Sequence, residues 1–460
     1  MRRSRYTVVA EGEQGEHLLF HTASGAFAAL DDATFAQLEA EMPSEDAASG
    51  ARGTTGAAAE AGGTGANAGN GELWGQLAEA GFITELSADE ELALQRATFE
   101  AARTDSSALA LSIVPTYACN YRCPYCYELG HNQVKGKMDK PMMDAICAFV
   151  SQRHDALGFT RLLVQWYGGD PSLALDVVEA LSERLIAWCD ERGVRYEALM
   201  LSNANLIDEA AADLIARVRV GSVFLTIDGP EELHNRRRVA ADGSNSFQKN
   251  IRAARLLRER GVDVHAGMNV DKVSWPLYPG LRDQLMAEEG IRLNPGKLCD
   301  YGHFYGQAPF AAPDFDLFTH QEFAQARLDQ FLRDEHTVEE LHGMLQPTGR
   351  FCWGQSNHYY VIDLLGDVYN CDGWVGDTAH VRFNLHDDPA TWLLADVSHD
   401  ATRDAQCSAC NLLPLCQGNC NWERACNGWP CHPFRYTLDG YLRVYRGLFD
   451  VETEGFTRFV

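Results

Sequence analysis

Apolar and polar positions change rhythm three times along the 460 residues. Between residues 6 and 42, short alternating runs predict strands at 6–10, 17–20 and 26–30. A helix over 33–41 follows, and the Asp31-Asp32 pair suits its N-terminus electrostatically. Residues 43–71 are almost entirely Ala, Gly, Thr, Ser, Asn and Glu, a composition that cannot bury a core and predicts a disordered insert. Order resumes in a short helix from Glu72-Leu73-Trp74 to about Gly81-Phe82-Ile83, and a polar helix near 88–103 leads onward. Residues 1–95 therefore read as a small α+β module. From 108 the rhythm becomes strand and helix in alternation. Strands are expected at 108–115, 162–167, 198–202, 223–228, 262–270 and 291–295, with amphipathic helices at 142–154, 177–191, 209–217, 246–260 and 277–289. Six successive β-α units imply a parallel sheet, and right-handed crossovers curl it into a partial (β/α)6 barrel over 105–330. Sites in such folds lie at the carboxyl ends of the strands. Beyond about 345 the rhythm is lost and cysteines become dense.

Composition narrows the functions open to such a chain. Acidic residues outnumber basic ones by 65 to 39, for a net charge of −26. Nucleic acid and anionic membranes both favour a positive surface, so neither is an expected partner. No apolar run approaches the roughly 18 residues of a transmembrane helix. The basic start, Met1-Arg2-Arg3-Ser4-Arg5-Tyr6, lacks the apolar stretch of a secretion signal, so a cytoplasmic location is expected. In a reducing compartment the 14 cysteines point to metal binding or catalysis rather than disulfides.

The first constellation, Cys119-Asn-Tyr-Arg-Cys123-Pro-Tyr-Cys126, follows the first strand of the α/β region directly. Iron–sulfur clusters ordinarily take four cysteines, so three thiolates on one tight loop leave one iron open to a chelating ligand. The alternative is a structural zinc site completed by His131. The CxxxCxΦC spacing, with Tyr125 as the aromatic Φ, resembles the radical S-adenosylmethionine superfamily. Further segments resemble its motifs in the expected order. Trp166-Tyr167-Gly168-Gly169-Asp170-Pro171 is similar to the GGEP loop, with Asp170 in place of Glu. Leu201-Ser202-Asn203-Ala204 is similar to the strand-end motif that contacts ribose, with Ala204 in place of Gly. Thr226-Ile227-Asp228-Gly229-Pro230, with His234-Asn235-Arg236, is similar to the SLDGP…HD-R segment. The resemblance implies that Cys119, Cys123 and Cys126 hold a [4Fe-4S] cluster. It implies that Tyr125, Gly168, Gly169, Asp170, Ser202, Asn203 and Asp228 surround S-adenosyl-L-methionine. The chemistry implied is reductive cleavage of that cofactor to a 5′-deoxyadenosyl radical, which takes a hydrogen atom from the substrate. A flavodoxin or ferredoxin is the implied reductant.

The second constellation runs Cys352, Gly366, Cys371, Cys407-x2-Cys410-x5-Cys416-x3-Cys420 and Cys431. Taken alone, Cys407-x2-Cys410 suggests a zinc ribbon. The whole string, with 13 residues between Cys352 and Gly366 and four between Gly366 and Cys371, resembles the SPASM extension of radical enzymes. That resemblance implies one auxiliary iron–sulfur cluster on Cys407, Cys410, Cys416 and Cys431, and another on Cys352, Cys371 and Cys420. The fourth ligand of the latter is Cys426, Cys299 or an open iron, and Cys426 also competes with Cys431. Cys147 and Cys189 lie in amphipathic helices and are expected in the core. The SPASM region spans 345–435, and residues 436–460 form an extension with no assigned chemistry.

The auxiliary clusters imply either acceptance of an electron from a substrate radical or ligation of a substrate cysteine. The N-terminal module is similar to winged-helix domains that clasp a leader peptide by strand addition; its alternative is a cap packed on the barrel. The expectation is a maturase that installs a thioether or carbon–carbon crosslink in a ribosomally made precursor peptide. The competing expectation is an anaerobic sulfatase maturase forming formylglycine.

Overall fold

The computed structural model describes residues 1–13, 15–44, 71–130, 134–299, 315–394, 400–428 and 431–448. Most of the insert expected at 43–71, His131 and the stretch past 448 lie outside the described residues. Five strands belong to the first module: β1 (Arg2–Arg3), β2 (Thr7–Glu11), β3 (Glu16–His21), β4 (Ala26–Asp31) and β5 (Ile83–Thr84). β2, β3 and β4 form an antiparallel sheet, and β1 pairs with β5. Asp31 ends β4 and caps the helix Asp32–Glu41, its side chain accepting the Thr34 amide at 2.7 Å. Strand alternation then sorts the apolar residues to two faces. Leu19, Ala28 and Leu30 pack with Leu38, Leu77 and Phe82. Leu18, Phe20, Phe27 and Ala29 pack with Leu438, Tyr441, Leu442 and Tyr445 of the helix Phe434–Gly447. Arg446 fastens this helix to Glu16 at 2.6 Å, and Arg443 donates to the Glu11 carbonyl at 3.0 Å. Residues 434–447 are thus the second cover of the first sheet. A sequence window cannot reveal that partner, because over 400 residues separate the two.

The central sheet contains β6 (Ala108–Ile113), β7 (Arg161–Trp166), β8 (Arg195–Leu201), β9 (Val220–Thr226), β10 (Asp263–Val270) and β11 (Arg292–Lys297), paired in parallel in that order. The α/β architecture expected from the alternating pattern is therefore present. β8 and β9 each begin three residues before the apolar runs at 198 and 223. β8 opens with Arg195 and Glu197, which pair with each other, and β9 with Val220-Gly221-Ser222, so polar and small residues interrupt the apolar signal. Along β7, Leu162, Val164 and Trp166 are buried, whereas Leu163 and Gln165 are half-buried on the other face. A parallel sheet covered on both faces would read as continuous apolar strands; this one leaves a face open.

The cysteine-rich segment is not devoid of regular structure. It contributes β12 (Tyr359–Ile362), β13 (Asp367–Tyr369) and β14 (Phe383–Asn384), which extend the sheet to nine strands. β12 lies parallel to β6. With β7 on its other side, β6 is buried at all positions, and the chain leaving it enters the cysteine loop.

Candidate functional site

The loop after β6 is held by backbone contacts. Arg122 N–H donates to the Val239 carbonyl at 2.7 Å, Ala241 N–H donates to the Asn120 carbonyl at 2.8 Å, and Tyr121 bridges Ala240. Cys119, Tyr125 and Cys126 pack around Tyr121, Cys123 and Ala240. The loop after β7 presses on the same stretch: Gly169 N–H donates to the Thr116 carbonyl at 3.3 Å and Asp170 N–H to the Ala118 carbonyl at 2.9 Å. A Cβ on Gly169 would fall 2.4 Å from the carbonyl oxygens of Tyr117 and Ala118. Glycine is required there by close approach of two backbones. Gly168 has φ +113° and clears the Thr116 carbonyl in the same way.

Asp170 is buried and gathers the neighbouring strand end. It accepts from Ser172 N–H at 2.9 Å, Ser202 Oγ at 3.0 Å and Asn203 N–H at 2.6 Å. Burial raises its pKa and these donors oppose the rise. Asn203 donates to Asn120 Oδ1 at 2.7 Å, linking this knot to the cysteine loop. Ala204 closes the turn at φ +57°, a left-handed conformation that an alanine adopts at a cost. At the end of β9, Asp228 accepts from Asn269 N–H at 2.8 Å and from the Tyr125 hydroxyl. The structure therefore gathers Tyr125, Gly168, Gly169, Asp170, Ser202, Asn203 and Asp228 about one loop at the carboxyl strand ends.

Burial pushes the Cys119 thiol up to about 11 and Cys126 up to about 12, with the Cys123 thiol contributing to both shifts. Such thiols ionise when a cationic group takes them as ligands, which is the donor chemistry of an iron–sulfur cluster. Among the described residues, no three His, Cys, Asp or Glu side chains converge tightly enough to hold a single metal ion.

The second constellation divides into two cavities. Cys407, Cys410, Cys416 and Cys431 line one of about 310 Å³. Burial pushes the Cys416 thiol up to about 12, and Cys410, Cys407 and Cys431 add to the shift. Cys352, Cys371 and Cys420 line the other, of about 350 Å³. The Cys371 thiol is raised by burial and further by Asp372, Cys420 and Cys352. Cys426 is buried beside this second group: Cys420, not the Cys407 group, adds to its raised pKa, and it packs in a cluster with Trp374 and Cys371. Cys299, at the end of β11, engages Lys297 Nζ at 2.9 Å and Glu423 at 3.6 Å. Cys189 is fully buried and Cys147 half-buried against the main core.

Residues 113–275 match the radical SAM superfamily. The chain carries a radical SAM domain. Enzymes of this superfamily use S-adenosylmethionine and a [4Fe-4S] cluster. The chain is 26% identical over 342 residues to the cysteine-type anaerobic sulfatase-maturating enzyme of Clostridium perfringens strain 13, covering 68% of this chain and 88% of the relative. It is 22% identical over 366 residues to the serine-type anaerobic sulfatase-maturating enzyme of Bacteroides thetaiotaomicron, covering 71% and 86%. Its fold is similar to that of native anSMEcpe with bound AdoMet and Cp18Cys peptide, with TM-score 0.57 and 19% identity over 74% of this chain and 99% of that one.

Several residues of the site carry no signal in the sequence motifs. Arg238 donates to the Tyr125 hydroxyl at 3.2 Å. Burial opposes its charge, but Cys123, Tyr125 and Asp228 hold its pKa well above the ordinary value. Asp372, next to Cys371, accepts from Tyr359 at 2.8 Å and from Gln165, on the open face of β7, at 3.1 Å. Each joins the site through a strand or helix remote in sequence.

Proposed function

We propose that this radical SAM enzyme is a maturase of ribosomally made peptides that installs a thioether or carbon–carbon crosslink. Cys119, Cys123 and Cys126 hold the [4Fe-4S] cluster, and Tyr125, Gly168, Gly169, Asp170, Ser202, Asn203 and Asp228 frame S-adenosylmethionine. When bound, these groups supply a 5′-deoxyadenosyl radical that removes a hydrogen atom from the substrate. Cys407, Cys410, Cys416 and Cys431 hold one auxiliary cluster. Cys352, Cys371 and Cys420 hold the other, with Cys426 as its fourth ligand. A flavodoxin or ferredoxin supplies electrons.

The observation that carries the peptide reading is the three-stranded module built into the same body as the second constellation. Nearly the whole anSMEcpe chain is spanned by 74% of this one, so part of this chain has no counterpart there. β4 is buried from Ala26 to Leu30, whereas β2 is an edge strand with Val9 exposed. A precursor docks along β2 by strand addition, which uses backbone hydrogen bonds and tolerates varied side chains. The competing reading, oxidation of a sulfatase cysteine or serine to formylglycine, is favoured by the sulfatase-maturating relatives. Coexpression with a candidate precursor, followed by mass measurement, separates the two. Loss of two hydrogens per crosslink supports peptide maturation, and conversion to an aldehyde overturns it. Anaerobic reconstitution with reductant must yield 5′-deoxyadenosine for the site assignment to stand.

A further inference from the structure

Two aromatic rings lie between the cysteine constellations. Tyr127 follows Cys126 directly, and its ring centroid is 5.1 Å from that of Trp422, inclined by 54°. Trp422 is two residues beyond Cys420 and lines the cavity of Cys352, Cys371 and Cys420. Its indole rests on Gly373, two residues beyond Cys371: a Cβ there would fall 2.3 Å from the indole Cδ2. Gly373 is absent from the positive-φ residues, so the glycine serves to clear space for the ring rather than to permit a turn. Trp374 meets Trp422 edge-on at 6.5 Å. At the other end, the hydroxyls of Tyr127 and Tyr167 are 2.6 Å apart, and Tyr167 immediately precedes the glycine pair after β7. Ring contacts thus run from the Cys126 loop to the loops of Cys420 and Cys371.

We infer that Tyr127 and Trp422 are the electronic bridge between the two cluster sites. Electron transfer between buried centres weakens steeply with every gap in packing, and two rings in contact close the gap between these loops. The transfer moves one electron: the auxiliary cluster at Cys352, Cys371 and Cys420 is oxidised as the cluster at Cys119, Cys123 and Cys126 is reduced. The rings are conducting contacts and do not themselves lose or gain an electron. Tyr127 and Trp422 are therefore positioning residues. The inference rests on the proposal that both cysteine sets hold clusters, and it needs no peptide.

The test uses the full chain, reconstituted anaerobically without peptide. Iron and sulfide are counted, one electron is introduced by a light pulse with a deazaflavin, and freeze-quenched samples are followed by EPR. S-adenosylmethionine marks the cluster with the open iron by altering its signal. Trp422→Leu is expected to slow redistribution between the clusters several-fold with iron content unchanged, and Trp422→Phe to restore most of the rate. Redistribution in Trp422→Leu at the wild-type rate overturns the bridge, as does a Phe variant as slow as the Leu variant. Should Trp422→Leu lose iron, Tyr127→Leu with full iron decides the matter by the same rates. Iron loss in both variants assigns the rings to packing alone and overturns the inference. Wild-type protein with only the first cluster overturns the second-site assignment itself, a failure distinguished by its iron count.

Discussion

The two cysteine constellations are assembled by opposite means. The first occupies one short loop, shaped by backbone against backbone: residues 116–122 lie between the glycine pair after β7 and the 239–241 segment. The second gathers thiols from Cys352 to Cys431 by adding three strands to the sheet and folding short helices beside it. Its close approaches involve side chains, such as Trp422 over Gly373. The first site tolerates almost no change of shape, because a backbone wall cannot turn aside. The second is adjustable, and its geometry depends on long-range folding and on what binds it.

Gly169→Ala should break the first site most severely. Its Cβ meets two carbonyl oxygens at 2.4 Å, and overpacking against an immovable wall is expected to cost at least about 3 kcal/mol. Denaturant unfolding of the apoprotein should show this loss, and the loaded variant should make no 5′-deoxyadenosine while keeping the iron of the second constellation.

Asp363 ties the two regions together. It accepts from the hydroxyls of Tyr117, two residues before Cys119, and Tyr369, two residues before Cys371. Burial raises its pKa from 3.8 to about 6. The native state therefore holds this proton more tightly than the unfolded chain does. Its contribution is complete below about pH 4 and is lost as pH rises through about 6, a change of up to about 3 kcal/mol. Apoprotein melting temperatures across that window should carry the slope, and Asp363→Asn should remove it.

Gly373→Ala provides the matched contrast to Gly169→Ala. The obstacle is a side chain rather than a backbone wall, but its Cγ at 2.4 Å and Cδ2 at 2.3 Å must move as one, so a cost of about 2 kcal/mol is expected, with the iron of both constellations retained. A cost equal to that of Gly169→Ala would erase the distinction between rigid and adjustable sites. The smallest expected effect has the opposite sign. Ala204→Gly should relieve left-handed strain, offset in part by the loss of a buried methyl and the added freedom of the unfolded chain, and raise stability by about 0.5 kcal/mol, measured by the urea midpoint.

Much of the α/β region was readable because its elements are local and periodic. Helix 209–217 falls where its apolar spacing predicts, and the cysteine motifs carry their own spacing. What escaped depends on contacts remote in sequence. β12 is four residues long and takes its place between β6, remote in sequence, and β13. Tyr127 and Trp422 have no shared pattern, and their meeting is a product of packing. Arg238 is one of three consecutive arginines, of which the sequence alone could not select the one that reaches Tyr125. Asp170 departs from the usual Glu, and the structure gives the shorter carboxylate a set of close donors.

The helix Phe434–Gly447 has a consequence for how the protein comes into being. Its apolar side supplies one cover of the β2–β3–β4 sheet, and the Glu16–Arg446 pair closes a loop of 430 residues. During synthesis the sheet emerges early, while its cover is made after the entire α/β region and the cysteine-rich segment. Until then Leu18, Phe20 and Phe27 lack their partners, and closure over so long a separation is slow. The first module should therefore be among the last parts to become protease-resistant, although it is translated before the α/β region.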